Sequence, residues 1–305
     1  MSRVAAIYCG TNSIRLLIAD ITNGNFREIT RDMEIVRLGQ GVDKTKSFHP
    51  DAINRTLSAT EKFGELIKSK GVEKIRFCAT SATRDATNRH LFIDGVRDIL
   101  GVEVEVISGE EEAALSFMGA TRELNQTESP FLVVDIGGGS TEFVIGATKV
   151  DVAKSVNIGC VRMSERHLNQ QPPTSAQVHA AISDIDMAIA DAARVVPITT
   201  AQTLVAVAGT ATTVAAAALD LHSYDRHLIH LARIPAEKVH QVAANFQKLN
   251  RDEIAQLGYM HPGRIDVITA GALVLSRVMA ATGAAEFVAS ESDILDGIAW
   301  KLAGE

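Results

Sequence analysis

The distribution of apolar residues predicts a chain in which strands and helices alternate. Three apolar runs near the start, Val4–Cys9, Arg15–Asp20 and Phe26–Arg37, are typical of strands. The stretch Pro50–Ser69 instead carries its apolar side chains at helical spacing and predicts a helix. The next predicted elements are a strand at Lys74–Ala79, a helix at about Ala86–Leu100, a strand at Val102–Ile107 and a helix from Glu110.

The second half of the chain repeats this opening. Strands are expected at Phe131–Asp135, Glu142–Ala147, Val150–Ile158, Leu204–Ala208 and Phe287–Ala289, with a helix at Thr174–Val195 and mostly helix near the end. The order β-β-β-α-β-α-β-α is that of a ribonuclease-H-like sheet. Its duplication predicts an α/β protein with two ribonuclease-H-like (actin-like ATPase) domains and an interdomain cleft. We expect residues 1–125, with a C-terminal helix at 298–305, and residues 126–297 to form these domains.

Two hairpins occupy matching places in the two halves. Each joins two apolar strands through a short turn that begins with Gly and ends with Ser. Glycine lets neighbouring backbone N–H groups converge on one point, and such a nest binds anions, phosphate above all. No Gly-Lys-Ser/Thr follows, so neither turn is a Walker loop. The predicted phosphate-binding residues are Gly10, Thr11, Asn12 and Ser13 in the first turn and Gly137, Gly138, Gly139, Ser140 and Thr141 in the second.

Composition and charge narrow the class of partner. The 305 residues suffice for two domains, and the net charge is -7 with one Trp and three Tyr. Nucleic-acid binding by a basic stripe or by base stacking therefore has little support, and a small or short anion is favoured over a long polyanion. Scattered cysteines, the lack of a membrane-length apolar segment and an N-terminus that enters a strand directly favour a cytoplasmic protein without a membrane partner.

Two carboxylates flank the second turn. Asp135 ends an apolar run, where burial does not favour a charged group, and Glu142 follows the turn. Mg²⁺ bridges carboxylate and phosphate oxygens in phosphate-handling sites, so this pair predicts a metal site. The alternative is that each carboxylate caps a turn.

A further acidic group opens the helix at Glu110. Ser108 and Glu111 fit a capping box, and acidic residues are favoured near a helix N-terminus. Glu112 is left without such an explanation. If it faces the predicted cleft, it can take a proton from a water that attacks phosphorus.

Two strand-to-helix junctions are candidate anion sites. Arg84 follows the strand at 74–79 and can bind a phosphate with two hydrogen bonds, or else form a salt bridge with Asp85 or Asp98. Gly209 and Thr210 follow the strand at 204–208, where a glycine turn is often only structural. Three histidines, His222, His227 and His230, lack metal-ligand spacing and are interpreted as surface residues.

Together these motifs resemble the exopolyphosphatase / guanosine pentaphosphate phosphohydrolase family in its short, two-domain form. The matching segments span nearly the whole chain: Gly10–Ser13, Ala79–Asn88, Ile107–Ala113, Val134–Glu142, Ala208–Thr210, His261–Arg264, Ser290–Ser292 and Leu295–Ile298.

The resemblance implies hydrolysis of a terminal phosphoanhydride, in which water attacks phosphorus and orthophosphate leaves. It implies that Glu112 is the general base, that Asp135 and Glu142 hold Mg²⁺ or Mn²⁺, and that both turns and Arg84 bind phosphates. Gly209 and Thr210 complete the implied phosphate-binding residues. The implied substrates are short inorganic polyphosphate or guanosine pentaphosphate, and a homodimer is expected.

Tyr8 departs from this pattern. The family has Asp at this position, and the internal repeat independently predicts Asp because Asp135 occupies the matching place. A phenol is neutral at pH 7 and is a poor Mg²⁺ ligand. Tyr8 therefore leads us to expect a retained but reduced activity.

Three functions compete at this point. An exopolyphosphatase that prefers short chains leads, and a guanosine pentaphosphate 5′-phosphohydrolase offers the same chemistry on another substrate. A sensor that binds polyphosphate or guanosine tetra/pentaphosphate without turnover is motivated by Tyr8. A sugar or acetate kinase fits the fold but leaves Glu112 and the family motifs unexplained.

Overall fold

The computed structural model describes residues 2–304, which divide into two compact units. Unit 1 comprises the chain up to Gly119 together with the segment from Ile294 onward, and unit 2 is Ala120–Asp293. The strands of unit 1 are β1 (Ser2–Cys9), β2 (Ser13–Thr22), β3 (Asn25–Ile35), β4 (Lys74–Ala79) and β5 (Val104–Val106). Its helices are α1 (Val42–Thr45), α2 (Pro50–Ser69), α3 (Ser81–Asp85), α4 (His90–Leu100), α5 (Gly109–Thr121) and, at the end of the chain, α13 (Ile294–Ala303).

The sheet of unit 1 lies between two helical layers. Its strand order is β3-β2-β1-β4-β5, in which β1 and β2 are antiparallel and β1 and β4 are parallel. One face packs under α2 and α4 around Phe63 and Phe92. The other face packs against α5 and α13, where Ile298 and Trp300 cover β1 and β2.

Unit 2 has the same sheet with one strand added. Its strands are β6 (Phe131–Ile136), β7 (Thr141–Gly146), β8 (Val150–Val156), β9 (Thr203–Val207), β10 (Arg233–Pro235) and β11 (Glu286–Ala289). Its helices are α6 (Cys160–Arg166), α7 (Ser175–Ala193), α8 (Ala208–Ala218), α9 (Arg226–Ile229), α10 (Ala236–Phe246), α11 (Arg251–Ala255) and α12 (Ile268–Thr282). The sheet order β10-β11-β9-β6-β7-β8 contains the five-strand order of unit 1, with β10 as the additional edge strand. Both units therefore have the predicted ribonuclease-H-like topology.

Several predicted boundaries differ from the structure by one to four residues, and three of these differences have a visible cause. The third strand ends at Ile35 and not at Arg37, because the N–H groups of Val36 and Arg37 turn to the carbonyl of Asn12 and Arg37 adopts a φ of 50°. The helix predicted from Ala86 begins only at His90, since a separate short helix, α3, ends at Asp85. The strand predicted through Ala208 ends one residue earlier, where Ala208 opens α8 with a φ of 67°.

No helix among residues 2–304 combines the length and the apolar character that crossing a membrane requires.

Candidate active site

The turn of unit 2 is held from one side by the start of α6. The N–H of Gly137 donates to the carbonyl of Ser140 at 3.0 Å, which closes the turn. The carbonyl of Gly137 accepts from the N–H of Cys160, and that of Gly138 accepts from the N–H groups of Val161 and Arg162. The first turn of α6 thus donates its otherwise unpaired N–H groups to the carbonyls of the glycine turn.

This arrangement fixes where the N–H groups of the turn point. In a trans peptide the C=O of one residue and the N–H of the next point in opposite directions. Because the carbonyls of Gly137 and Gly138 face α6, the N–H groups of Gly138 and Gly139 face away from it. Among residues 2–304, neither of these N–H groups has a protein acceptor. A pair of N–H groups exposed in this way is able to bind an anion.

Two residues of the α6 segment make this support possible. A Cβ atom on Gly159 would lie 2.3 Å from the carbonyl carbon and oxygen of Gly138, so only glycine fits there. Arg162 is buried, with 7% of its surface exposed, and its Nε donates to the carbonyl of Gly139 at 2.7 Å.

The turn of unit 1 closes in the same way but is held through its second and third carbonyls. The N–H of Gly10 donates to the carbonyl of Ser13, again at 3.0 Å. The carbonyl of Thr11 accepts from the N–H of Gly39, and that of Asn12 accepts from the segment after β3. A Cβ atom on Gly39 would lie 2.3 Å from the Thr11 methyl group, so glycine allows a close approach to this turn as Gly159 does in unit 2.

Two of the predicted phosphate-binding side chains are engaged within the fold. The Thr141 hydroxyl is fully buried and donates its proton to the carbonyl of Ile158 at 2.9 Å. The Thr11 hydroxyl shares a hydrogen bond of 3.0 Å with that of Ser81. A phosphate at either turn would therefore be bound chiefly by backbone N–H groups.

Asp135 and Glu142 stand directly opposite each other on β6 and β7. Opposed residues of an antiparallel pair point to the same face, with Cβ atoms about 4.5–5.5 Å apart. Both carboxylates are buried, with 6% and 1% of their surfaces exposed, and Ser155 donates a hydrogen bond of 2.7 Å to Glu142. No group of three or more acidic, His or Cys side chains suited to a metal occurs in residues 2–304. Two carboxylates still fit Mg²⁺, which keeps several waters and needs one or two carboxylates beside substrate phosphate.

Glu112 lies in the first turn of α5 and is held by donors from two other elements. Arg84 donates through Nη1 to Oε2 at 3.0 Å, and the Tyr8 hydroxyl donates to Oε1 at 3.1 Å. Only 3% of the Glu112 surface is exposed. Burial raises the pKa of the Glu112 carboxyl, whereas Arg84, Tyr8 and Thr80 act in the opposite direction. A carboxylate with a raised pKa is a stronger base than an ordinary glutamate.

The neighbouring acidic residue has a structural role. The N–H of Glu111 donates to the Ser108 hydroxyl at 3.1 Å, which is one of the two hydrogen bonds of the predicted capping box. Its carboxylate is bound by Arg76 and Lys301, at 2.9 Å and 3.2 Å. Arg84 pairs with Glu112 and the carbonyl of Ile107, so its alternative interpretation as a partner of Asp85 or Asp98 is not needed.

Gly209 and Thr210 open α8 in unit 2. A Cβ atom on Gly209 would lie 2.5 Å from the guanidinium carbon of Arg264, so the glycine admits this side chain. Arg264 donates to the Thr213 hydroxyl at 3.0 Å, and Thr213 donates to the carbonyl of Gly209. Arg264 thus places a guanidinium at the start of the helix.

The glycines that pack against the two turns were not among the predicted site residues. Gly39 and Gly159 each follow an apolar residue downstream of a hairpin, in Leu38-Gly39 and Ile158-Gly159. A search for further matches between the repeats could have found them. The roles of Arg162 and Thr80 leave no comparable signal, because both depend on contacts distant in sequence.

Comparison with known proteins places these features in one family. The profile of the Ppx/GppA phosphatase family matches residues 17–302. Exopolyphosphatase 2 of Mycobacterium tuberculosis is 45% identical, over 100% of this chain and 99% of that protein. The guanosine-5′-triphosphate,3′-diphosphate pyrophosphatase of Vibrio atlanticus is 34% identical, over 58% of this chain and 36% of that protein.

A solved structure agrees with this assignment. The crystal structure of an exopolyphosphatase-like protein superposes with a TM-score of 0.94 at 45% identity, covering 97% of this chain and 96% of that one. The chain belongs to the Ppx/GppA phosphatase family.

Proposed function

We propose that this protein is an exopolyphosphatase, which hydrolyses the terminal phosphate of inorganic polyphosphate and releases orthophosphate. The observation that carries the proposal is the buried Glu112 carboxylate, held by Arg84 and Tyr8 at the start of α5. This carboxylate occurs in a chain that aligns over its whole length with Exopolyphosphatase 2 of M. tuberculosis.

Glu112 acts as the general base in this proposal. Its carboxylate takes a proton from the water that attacks the terminal phosphorus, and the leaving group is the shortened polyphosphate. Because each oxygen already accepts a hydrogen bond from a fixed donor, the carboxylate is oriented before substrate binds. The raised pKa of Glu112, caused by burial, brings its basicity closer to neutral pH.

The glycine turns bind and orient the phosphates. The N–H groups of Gly138 and Gly139 are fixed by the hydrogen bonds of their neighbouring carbonyls to α6. Such donors need no reorganisation when negative charge develops on the equatorial oxygens. The Gly10–Ser13 turn, which closes through the same Gly-to-Ser hydrogen bond, is proposed to bind phosphate as well.

Asp135 and Glu142 hold a divalent metal, Mg²⁺ or Mn²⁺, in this proposal. Bound there, the ion neutralises phosphate charge. Ser155 orients one oxygen of Glu142, so this chain presents the two carboxylates on one face of the sheet.

Orthophosphate release from short-chain polyphosphate in the presence of Mg²⁺ tests the proposal. Glu112→Gln keeps the size of the side chain but removes the base, and we expect kcat to fall by roughly 10²–10⁴-fold. Glu110→Gln is the matched control, because Glu110 lies in the same turn of the helix and is exposed. Release by the wild type that survives unchanged in Glu112→Gln would contradict the assignment of the base.

The substrate is tested by comparing short polyphosphate, long polyphosphate and guanosine pentaphosphate. The net charge of -7 favours short chains, since a long polyanion needs many cationic contacts. The similarity to the Vibrio pyrophosphatase, over part of the chain, is the observation that favours guanosine pentaphosphate. A higher kcat/KM for guanosine pentaphosphate would make that the function. Sedimentation and cell fractionation test the further proposals of a homodimer and a cytoplasmic location.

A further inference from the structure

We infer that Tyr8 is a positioning residue for Glu112, so that this chain has a rebuilt base site where the repeat predicts a carboxylate. The inference rests on the proposed function of Glu112. It predicts that replacing Tyr8 by Asp lowers activity, although Asp is the residue that both the repeat and the family pattern lead one to expect.

The Tyr8 hydroxyl completes the set of donors around Glu112. It lies 3.1 Å from Oε1, while Arg84 lies 3.0 Å from Oε2, so each carboxylate oxygen has its own donor. The hydroxyls of Tyr8 and Thr80 are 3.4 Å apart. Tyr8 and Arg84 come from β1 and α3, which hold the carboxylate from two directions.

The Tyr8 ring is itself fixed on both sides. A Cβ atom on Gly10 would lie 3.0 Å from ring atom Cε1, so the ring packs tightly against the Gly10–Ser13 turn. The Arg15 guanidinium lies over the ring, 4.8 Å from its centroid, within the range of a cation–π interaction. A ring restrained in this way presents its hydroxyl in one place.

The opposed pairs beside the two turns differ at both positions. Tyr8 and Arg15 face each other across β1 and β2, as Asp135 and Glu142 do across β6 and β7. The pair in unit 2 carries two negative charges and suits a cation. In unit 1, Tyr8 offers Glu112 a neutral hydroxyl donor, and Arg15 packs on the ring that carries this hydroxyl.

An Asp at position 8 would act against Glu112 in two ways. Its side chain is shorter than that of Tyr and, when ionised, it has no proton to donate. It would also add a negative charge near a buried carboxylate, which favours the protonated form of Glu112.

Tyr8→Phe removes the hydroxyl and keeps the ring, and we expect kcat to fall about tenfold or more with little change in KM. Burial raises the pKa of Glu112, and the Tyr8 hydrogen bond counteracts it together with Arg84 and Thr80. Loss of that bond should therefore move the acid limb of the kcat/KM profile to higher pH. Tyr259→Phe is the matched control, since Tyr259 is a half-buried tyrosine that belongs to unit 2 and is not assigned to the site. An unchanged kcat and pH profile in Tyr8→Phe would overturn the inference while leaving the proposed function in place.

Tyr8→Asp separates this inference from a failure of the proposed function. A lower rate than wild type supports the inference, and a higher rate, including turnover that only Tyr8→Asp shows, overturns it. If neither protein releases orthophosphate, the proposed function fails and titration of the Glu112 carboxyl decides the inference. Carbon-13 NMR of labelled glutamate, with the resonance assigned by Glu112→Gln, should give a higher pKa in Tyr8→Phe than in wild type. Equal values would overturn the inference.

Discussion

Gly159→Ala should disable the second phosphate turn with only a moderate loss of stability. The added methyl would lie 2.3 Å from the carbonyl carbon and oxygen of Gly138 and 2.4 Å from the nitrogen of Gly139. All three are backbone atoms and cannot rotate away. Side-chain Cβ atoms are essentially never found closer than 3.0 Å, so the turn and the start of α6 must separate by about 0.7 Å.

That displacement is large relative to the bonds that hold the turn. The N–H groups of Cys160 and Val161 each lie 2.9 Å from their carbonyl acceptors. Separation by about 0.7 Å would stretch both bonds to about 3.6 Å, beyond a useful hydrogen bond. At about 0.5–1.5 kcal/mol each, the two bonds account for roughly 1–3 kcal/mol of the free energy of unfolding. The effect on kcat should be larger, about 100-fold, because displacing catalytic groups by about 1 Å has that consequence.

Thermal unfolding and orthophosphate release measure the two effects on the same preparation. We expect Tm to fall by several degrees and kcat to fall by about two orders of magnitude. Gly64→Ala is the matched control, because its Cβ would meet only the end of the flexible Leu100 side chain at 3.0 Å and alanine favours the interior of α2. Wild-type kcat in Gly159→Ala would refute the view that α6 sets the geometry of the turn.

Two further substitutions test the metal site and the packing of the last helix. Asp135→Asn should raise the Mg²⁺ concentration needed for half-maximal activity at least about tenfold, because the pair with Glu142 loses one charge. The exposed Asp151→Asn should leave this concentration unchanged, and equal Mg²⁺ dependence in both variants would contradict a metal site at Asp135. Trp300→Ala should lower the free energy of unfolding by about 3–5 kcal/mol, because the ring is 6% exposed and packs 5.1 Å from Phe26. Urea denaturation measures this loss, and an unchanged midpoint would show that α13 contributes little to unit 1.

Much of the fold follows from patterns within short segments. Alternating and helical apolar spacing located β1, α2 and β6, since each of these elements buries one face or both. The repeated hairpins indicated a duplicated sheet, which fixed the topology of both units. One error lies where a backbone hydrogen bond to a residue distant in sequence ends a strand. The N–H of Arg37 donates to the carbonyl of Asn12 just after β3 ends, and no property of residues 35–37 predicts that acceptor.

The candidate site also has one part that the sequence predicts and one part that it does not. The register of β6 and β7, set by the short turn between them, brings Asp135 and Glu142 together, and the sequence spacing already indicated this. The surroundings of Glu112 were not predictable by spacing, because Tyr8, Arg84 and Glu112 come from three separate elements. The sequence identified Tyr8 only as an exception to the repeat. Its contact with Glu112 became visible only from the position of its hydroxyl in the structure.

Comparison of the two repeats distinguishes the part of the backbone from the part of the side chains at each turn. Both turns keep the same closing hydrogen bond, from Gly10 to Ser13 and from Gly137 to Ser140, although their side chains differ, because this bond joins backbone groups. The opposed pairs beside the turns differ. Asp135 and Glu142 are two buried carboxylates, whereas Tyr8 donates to Glu112 and lies under the Arg15 guanidinium. A substitution that looks like a loss against the repeat can therefore be an adaptation to the residue it contacts.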